Sequence, residues 1–247
     1  MPESFFLVRL LNGLFMSLEV SAYQAIGLSP AIAAEKALGV NRALGAEMLV
    51  VAGLILFFIV VRLALSVEKP NPAQQVAEML HGFIGGQAEQ VIGRGYQSFQ
   101  AFVTAIFLFV LFNNLIGLVP GVVTPTSQPW VPLGLAVPAF LYYNFHGLRA
   151  NGFIGYLKQF LGPIWWLAPL IILIETVSHL ARILSLTVRL YANMLASDLL
   201  TLIAFSMIPL VVPVIPLGLH AFISGIQAFV FTLLTMIYLS LAVAHEH

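Results

Sequence analysis

Apolar residues run along this chain in long blocks separated by short polar stretches, and the block lengths predict helices rather than strands. From about Gly45 to Val67 nearly every position is apolar, with Glu47 at one end, Arg62 near the other, and Pro70 and Pro72 closing the block. A hydrocarbon core about 30 Å thick needs roughly 20 apolar residues in a helix, so this block predicts a first membrane helix over 45–67 whose charges snorkel to the interfaces. The next segment, PAQQVAEMLHGFIGGQAEQVIG, follows a period near 3.6, with Val76, Met79, Leu80, Phe83 and Ile84 on one side. It predicts an interfacial amphipathic helix over 72–93 rather than a span. A membrane hairpin is predicted over 97–145, its two spans near 97–119 and 130–145 joined by the Pro- and Thr-rich turn PGVVTPTSQP. Asn113 and Asn114 lie inside its first arm, and Pro132 and Pro138 interrupt its second. Such prolines are tolerated in lipid only where neighbours satisfy the freed carbonyls.

The polar stretch HGLRANGFIGYLKQFLGP reads as a linker over 146–164. Two longer apolar blocks follow, about Trp165 to Phe205 and about Leu217 to Ala244, separated by IPLVVPVIP. The first is about twice the length a perpendicular span requires, which predicts strong tilt across 165–247. The predicted fold is all-α: a polytopic integral membrane protein with about five membrane helices, one interfacial helix and two long, strongly tilted C-terminal helices. Residues 1–44, with FFLVRLLNGLF followed by a polar stretch, are expected to form an arm on the outer face.

Composition sharpens this picture. Of 247 residues 60% are hydrophobic and 8% charged, against roughly 25% charged in a typical soluble domain. Too little polar surface is available to cover a soluble globule. Ten basic and ten acidic residues balance to a net charge of zero, which leaves no electrostatic footprint for nucleic acid. The absence of cysteine excludes disulfides, thiolate nucleophiles and Cys-ligated metals. The start Met1-Pro2-Glu3-Ser4 carries an acid where a signal peptide has a basic region, so an unprocessed N-terminus is expected. Arg62, Lys69 and Arg94 follow the first span, and Arg149 and Lys158 lie in the 146–164 linker, whereas the turns at 119–129 and 207–216 carry no charge. The positive-inside rule therefore predicts a cytoplasmic linker and C-terminus, with the N-terminus outside.

Charge is absent between Arg94 and Arg149, yet the fourth block carries Glu175, His179, Arg182, Arg189 and Asn193 at offsets of 0, 4, 7, 14 and 18. At about 100 degrees per residue these fall near 0, 40, 340, 320 and 0 degrees, a stripe about 80 degrees wide. Ser197 joins the stripe and Asp198 projects from another side, toward a different neighbour. Each charge at membrane depth costs about 2.5 to 3.5 kcal/mol by insertion scales, so their retention points to function. Glu175 and Arg182 admit a plainer reading, mutual neutralisation across two turns. Arg189 has no acid three or four residues away in either direction, so its counter-charge must come from another helix or another protein. The fifth block offers a facing stripe of His220, Ser224 and Gln227, to which Tyr238 returns 18 residues after His220. Titratable and hydrogen-bonding groups on paired helices suit proton relay.

No metal site is expected, because HExxH is missing and the only close histidine pair is His245 and His247. GxxxxGK[ST], GxSxG and GxGxxG are also absent, which leaves nucleotide hydrolysis and acyl chemistry unsupported. A stand-alone secondary transporter or proton channel is the alternative, and it would show matching broken helices in two halves. An intramembrane enzyme lacks a nucleophile with a base at sensible spacing.

At these same residues the chain resembles the a subunit family of the rotary F-type ATP synthase, the stator component of the Fo sector. SLTVRLYANMLASDLL is similar to the family's signature, with Arg189 on its essential arginine, Asn193 on its asparagine and Asp198 on its acid, more often Glu. Glu175 and Arg182 match the acid fourteen and the basic residue seven positions before that arginine. His220 and Gln227 match the C-terminal histidine and glutamine, and FNNLIGLVPG resembles the N-L-x-x-L-x-P turn with Asn114 on its asparagine. Gly117 departs from members that carry Asp there.

The resemblance implies proton transport coupled to rotation of a c-subunit ring through two offset half-channels. It makes Arg189 the central cation facing the ring carboxylates. Asp198, His220, Asn193 and Gln227 would serve the outer half-channel and Glu175, His179 and Arg182 the inner one, with Asn114, Ser224 and Tyr238 as further candidates. It also implies b subunits of the peripheral stalk and the rest of the synthase as partners, a bacterial inner membrane as location, no cofactor, and no catalytic site in this chain.

Overall fold

The computed structural model describes residues 42–66, 70–119, 122–161, 168–207 and 213–243. The expected outer-face arm, up to residue 41, and the terminal histidines lie outside the described residues, as does the turn at 208–212. Among the described residues six α-helices carry the fold: α1 Arg42–Leu63, α2 Pro72–Ile92, α3 Gln97–Leu115, α4 Trp130–Leu161, α5 Ala168–Met207 and α6 Val214–Val243. Two short 3-10 turns, Ile116–Leu118 and Pro125–Ser127, lie between α3 and α4. The all-helical membrane architecture expected from the hydrophobic blocks is the one observed.

Four of these helices are long and apolar enough to cross a membrane: Ala43–Leu63, Gln97–Leu118, Ala168–Met207 and Val214–Val243. The first is apolar around its whole circumference and turns Ile55, Leu56, Phe58, Ile59 and Leu63 away from the protein, as a helix facing lipid does. The first half of α4, read from the sequence as a span, does not reach the same hydropathy. Pro132, Pro138, Tyr142, Tyr143, Asn144 and His146 dilute it, yet it packs against both α5 and α6.

The 146–164 linker requires correction. α4 continues through it to Leu161, with one break at Gly152, whose φ of 69° lies in the left-handed region that favours glycine. Polar composition suggested a linker, but two of its polar groups are tied to helix backbone. His146 Nδ1 stands 3.0 Å from the Tyr142 carbonyl, and Asn151 donates across to the Ala242 carbonyl at 2.9 Å, fastening α4 to the end of α6.

Proline at its first turn starts α2, and Gly93, with φ 78°, stops it. The helix buries small residues, Gly85 and Ala88, together with Ile84, and leaves Val76, Met79 and Phe83 exposed. An outward apolar stripe is what a helix at a membrane interface would bury in lipid. Gln100 of α3 donates to the His81 carbonyl at 2.9 Å and lies directly against Gly85.

The principal core joins Ile84 and Ala88 of α2, Val103, Ile106, Phe107 and Val110 of α3, Leu186, Leu190 and Met194 of α5, and Ala228, Phe231 and Met236 of α6. Packing of α2 therefore predicts a contrast between two adjacent glycines. Gly86→Ala, where an added Cβ meets nothing within 4 Å, should raise the thermal midpoint in detergent through a helix-propensity gain of about 1 kcal/mol. Gly85→Ala intrudes on the Gln100 amide and should lower it.

Candidate functional site

The polar stripe of α5 runs along the border between its packed and outward faces. Its buried residues, Ala168, Leu186, Thr187, Leu190, Met194, Ser197 and Ala204, lie between about 20 and 120 degrees when Glu175 is set to zero, centred near 60 degrees. Ser197, near 40 degrees, falls inside that sector, whereas Arg189, near 320 degrees, points about 100 degrees away from its centre. Arg189 is exposed, and among the described residues no carboxylate lies within ion-pair distance of it. Asn193, one turn on, is half-buried.

Toward the C-terminal end of α5 a hydrogen-bonded cluster forms from four elements. His220 of α6 is buried, and its Nε2 stands 3.0 Å from the Asn114 carbonyl at the end of α3. A carbonyl only accepts, so Nε2 carries a proton and Nδ1 is the nitrogen left to exchange one. That Nδ1 lies 2.9 Å from Ser197 Oγ and 3.6 Å from Asp198 Oδ1. The placement of the Nε2 donor is electrostatically favourable, because the last carbonyls of a helix carry partial negative charge. The sequence placed Ser197 and Asp198 on different sides of α5, toward different neighbours. The structure corrects this in part: both reach the same imidazole, and only Asp198 is also met by a loop.

That loop supplies residues the sequence reading passed over. Thr124 Oγ1 donates to Asp198 Oδ1 at 2.8 Å, Thr126 Oγ1 donates to Asn114 Oδ1 at 2.6 Å, and Ser127 Oγ donates to the Thr124 carbonyl at 2.8 Å. All three side chains are buried. Asn114 completes the circuit by donating to the Ser224 carbonyl at 3.4 Å, and Ser224 Oγ donates to the His220 carbonyl at 2.7 Å. Gln227 is buried on the same face of α6; neither it nor Asn193 bonds to this cluster. Asp198 is the one titratable residue lining a cleft of about 260 Å³, walled also by Gly117, Val122, Thr201, Leu202 and Phe205. The cleft has room for several water molecules.

A second cluster occupies the other end of α5. Glu175 Oε1 lies 3.4 Å from His179 Nδ1 and 3.8 Å from Arg182. The Arg182 guanidinium stands 5.0 Å from the centre of the Tyr238 ring on α6, within cation–π range. The rings of Phe140 and Tyr143 on α4 approach His179 at 6.3 and 6.2 Å. Glu175 and Arg182 are thus close enough for mutual neutralisation, and the pair remains partly exposed.

Asp198 follows Glu175 by twenty-three residues, about 35 Å along an α-helix, slightly more than a hydrocarbon core. The interior between the clusters is mainly apolar, with Leu186, Leu190, Met194, Phe231 and Met236 in one packed core. Thr187, Thr232 and Thr235 donate to carbonyls of their own helices. Beside Arg182 the gap lined by Ala136, Ala139, Ile183, Leu186 and Thr235 leaves no room for water. Two polar sites therefore lie along α5 with closed packing between them among the described residues, and Arg189 stands between them on the outward side. No group of three or more potential metal ligands occurs among the described residues.

Comparison with known proteins supplies the family. A family model described as ATP synthase A chain matches residues 46–240. A protein named ATP synthase subunit a from Koribacter versatilis is 50% identical over 201 residues, covering 81% of this chain and 82% of its own. The protein of the same name from Solibacter usitatus is 49% identical over 201 residues, covering 81% and 86%. That from Bdellovibrio bacteriovorus is 42% identical over 173 residues, covering 70% and 75%.

The buried circuit around Asn114 predicts a stability effect. Asn114→Leu leaves the Thr126 hydroxyl without its acceptor and removes the side-chain donor to the Ser224 carbonyl, a loss of about 1–3 kcal/mol. Thermal unfolding in detergent should show a lowered midpoint, with faster protease cleavage within 122–128.

Proposed function

Because the chain belongs to the ATP synthase A chain family, we propose that it is the proton-translocating stator of the Fo sector and that Arg189 works against carboxylates carried by a ring of c subunits. The observation that carries this reading is the exposed Arg189 between two polar clusters that closed packing separates. Among the described residues a proton entering at one cluster has no continuous polar route to the other. A mobile carboxylate passing Arg189 on the outside supplies the missing connection.

In this reading Asp198 receives protons from the water-accessible cleft on the outer side, with His220 beside it and Asn114, Asn193, Ser224 and Gln227 furnishing hydrogen-bonding groups along the approach to the ring. Glu175, His179 and Arg182, with Tyr238 behind them, form the exit on the cytoplasmic side. Arg189 favours the ionised form of each ring carboxylate that reaches it, so the proton is given up before the carboxylate passes. A guanidinium does not release its own proton, so Arg189 blocks direct leakage between the half-channels. The membrane potential contributes about 2.3 kcal/mol per charge per 100 mV, and this flow drives ATP synthesis at a catalytic site elsewhere in the complex. The reading places the chain in a bacterial inner membrane with its C-terminus in the cytoplasm and with b subunits of a peripheral stalk as further neighbours.

Arg189→Ala should abolish ATP-driven proton pumping in vesicles while the complex still assembles; normal pumping would sink the assignment. Arg189→Lys should also fail to restore coupling, because a lysine can lose its proton when desolvated. Asp198→Ala and His220→Ala should each slow proton flux without uncoupling it from ATP turnover. Unchanged flux in both would remove the outer cluster from the path.

A further inference from the structure

We infer that Thr124 is a positioning residue of the outer proton site, holding Asp198 Oδ1 opposite Nδ1 of His220 from a loop that belongs to neither long helix. The inference rests on the reading of Asp198 and His220 as an entry site and adds the element that sets their separation. Asp198 lies near 140 degrees on α5, about 80 degrees from the centre of the buried sector. That is about 20 degrees beyond the edge of that sector, and the side chain is only partly buried. The Thr124 hydroxyl, 2.8 Å from Oδ1, holds the carboxylate with the Ser127 hydroxyl as a further partner, and Oδ1 is the same oxygen that faces His220 Nδ1 at 3.6 Å.

Thr124 is itself held. It is buried, its carbonyl accepts from the Ser127 hydroxyl at 2.8 Å and from the Ser127 backbone N–H at 3.1 Å, and Thr126 two residues on is anchored to Asn114. Gly117 admits it: a Cβ at that position would overlap Thr124 Oγ1 and stand 3.1 Å from His220 Nε2. The glycine, the threonine and the histidine occupy one tightly shared volume. Any side chain at 117 would displace the hydroxyl that orients Asp198.

The chemistry is a proton transfer. A proton on Oδ1 passes to Nδ1 as the Ser197 hydroxyl, 2.9 Å from Nδ1, turns its proton away and the 3.6 Å separation shortens; an O–H bond breaks and an N–H bond forms, while Nε2–H stays bonded to the Asn114 carbonyl. The carboxylate left behind accepts the Thr124 hydroxyl, a charge-assisted bond stronger than the one it makes to the neutral acid. Among the described residues the other elements around Asp198 bring His220 from α6 and hydroxyls from the loop, and the nearest charged residue on α5 is Arg189, nine positions away.

The test uses the whole synthase in vesicles, with proton-driven ATP synthesis normalised to the amount of assembled complex. Thr124→Val keeps the shape and removes the hydroxyl, and the rate should fall about tenfold, as loss of a hydrogen bond to a charged group implies. Thr124→Ser, which restores the hydroxyl alone, should return the rate to within about twofold of the parent by the same reasoning. If Thr124→Val does not assemble, Thr124→Ala removes the hydroxyl without added bulk and is read in its place. A hydroxyl-free variant at the parent rate overturns the inference. So does a serine variant as slow as the valine variant, since the methyl group and not the hydroxyl would then matter. Arg189→Ala in the same vesicles separates the two levels. If it still couples, the underlying reading fails; if it is inactive while Thr124→Val runs at the parent rate, only the role of Thr124 fails.

Discussion

A guanidinium on the outward side of an apolar helix must find its counter-charge away from that helix, and the arrangement of this protein follows from that constraint. Arg189 lies well outside the buried sector of α5 and has no acid within reach among the described residues. In lipid alone such a charge is expensive. In the proposed reading, a partner whose carboxylates come and go turns that cost into a preference for ionised over protonated partner groups.

The two polar clusters make sense against the same constraint. A proton path must be wet at each end and closed in the middle, or the gradient would dissipate without work. At one end the Asp198 cleft is open and its polar groups are linked into a hydrogen-bonded circuit. At the other end the Glu175, His179 and Arg182 group stays partly exposed. Between them Leu186, Leu190, Met194 and Phe231 exclude water, and the threonines turn back onto their own helix carbonyls. Such threonine back-bonding lets polar side chains sit in an apolar layer without offering a relay.

Much of this architecture is legible in the sequence because lipid imposes strict rules. Helix spans announce themselves by length and hydropathy, and the 100-degree step collects Glu175, Arg182, Arg189 and Asn193 on one stripe before any coordinates are seen. Local composition misled where polar residues serve a helix instead of a loop. His146 and Asn151 suggested a linker, yet they bond to the carbonyls of Tyr142 and Ala242 within and beside a helix that runs on to Leu161. The turn containing Thr124 and Thr126 was visible as a turn, but nothing in a run of small hydroxyl residues distinguishes a solvent-facing loop from one tucked beneath two helices.

The sequence by itself determined which helices exist, which residues share a helix face, and that Arg189 lacks a partner nearby in its own helix, because these depend only on helical periodicity and the thickness of a bilayer. Tertiary structure decided which faces meet. It brought Ser197 and Asp198 to one imidazole despite their different angles on α5, set the Nε2 proton of His220 on the Asn114 carbonyl, and delivered Thr124 to Asp198 across seventy-four positions of chain. Those contacts join elements far apart in sequence, where the approach of one backbone to another is set by packing volume, as the absence of a side chain at Gly117 illustrates.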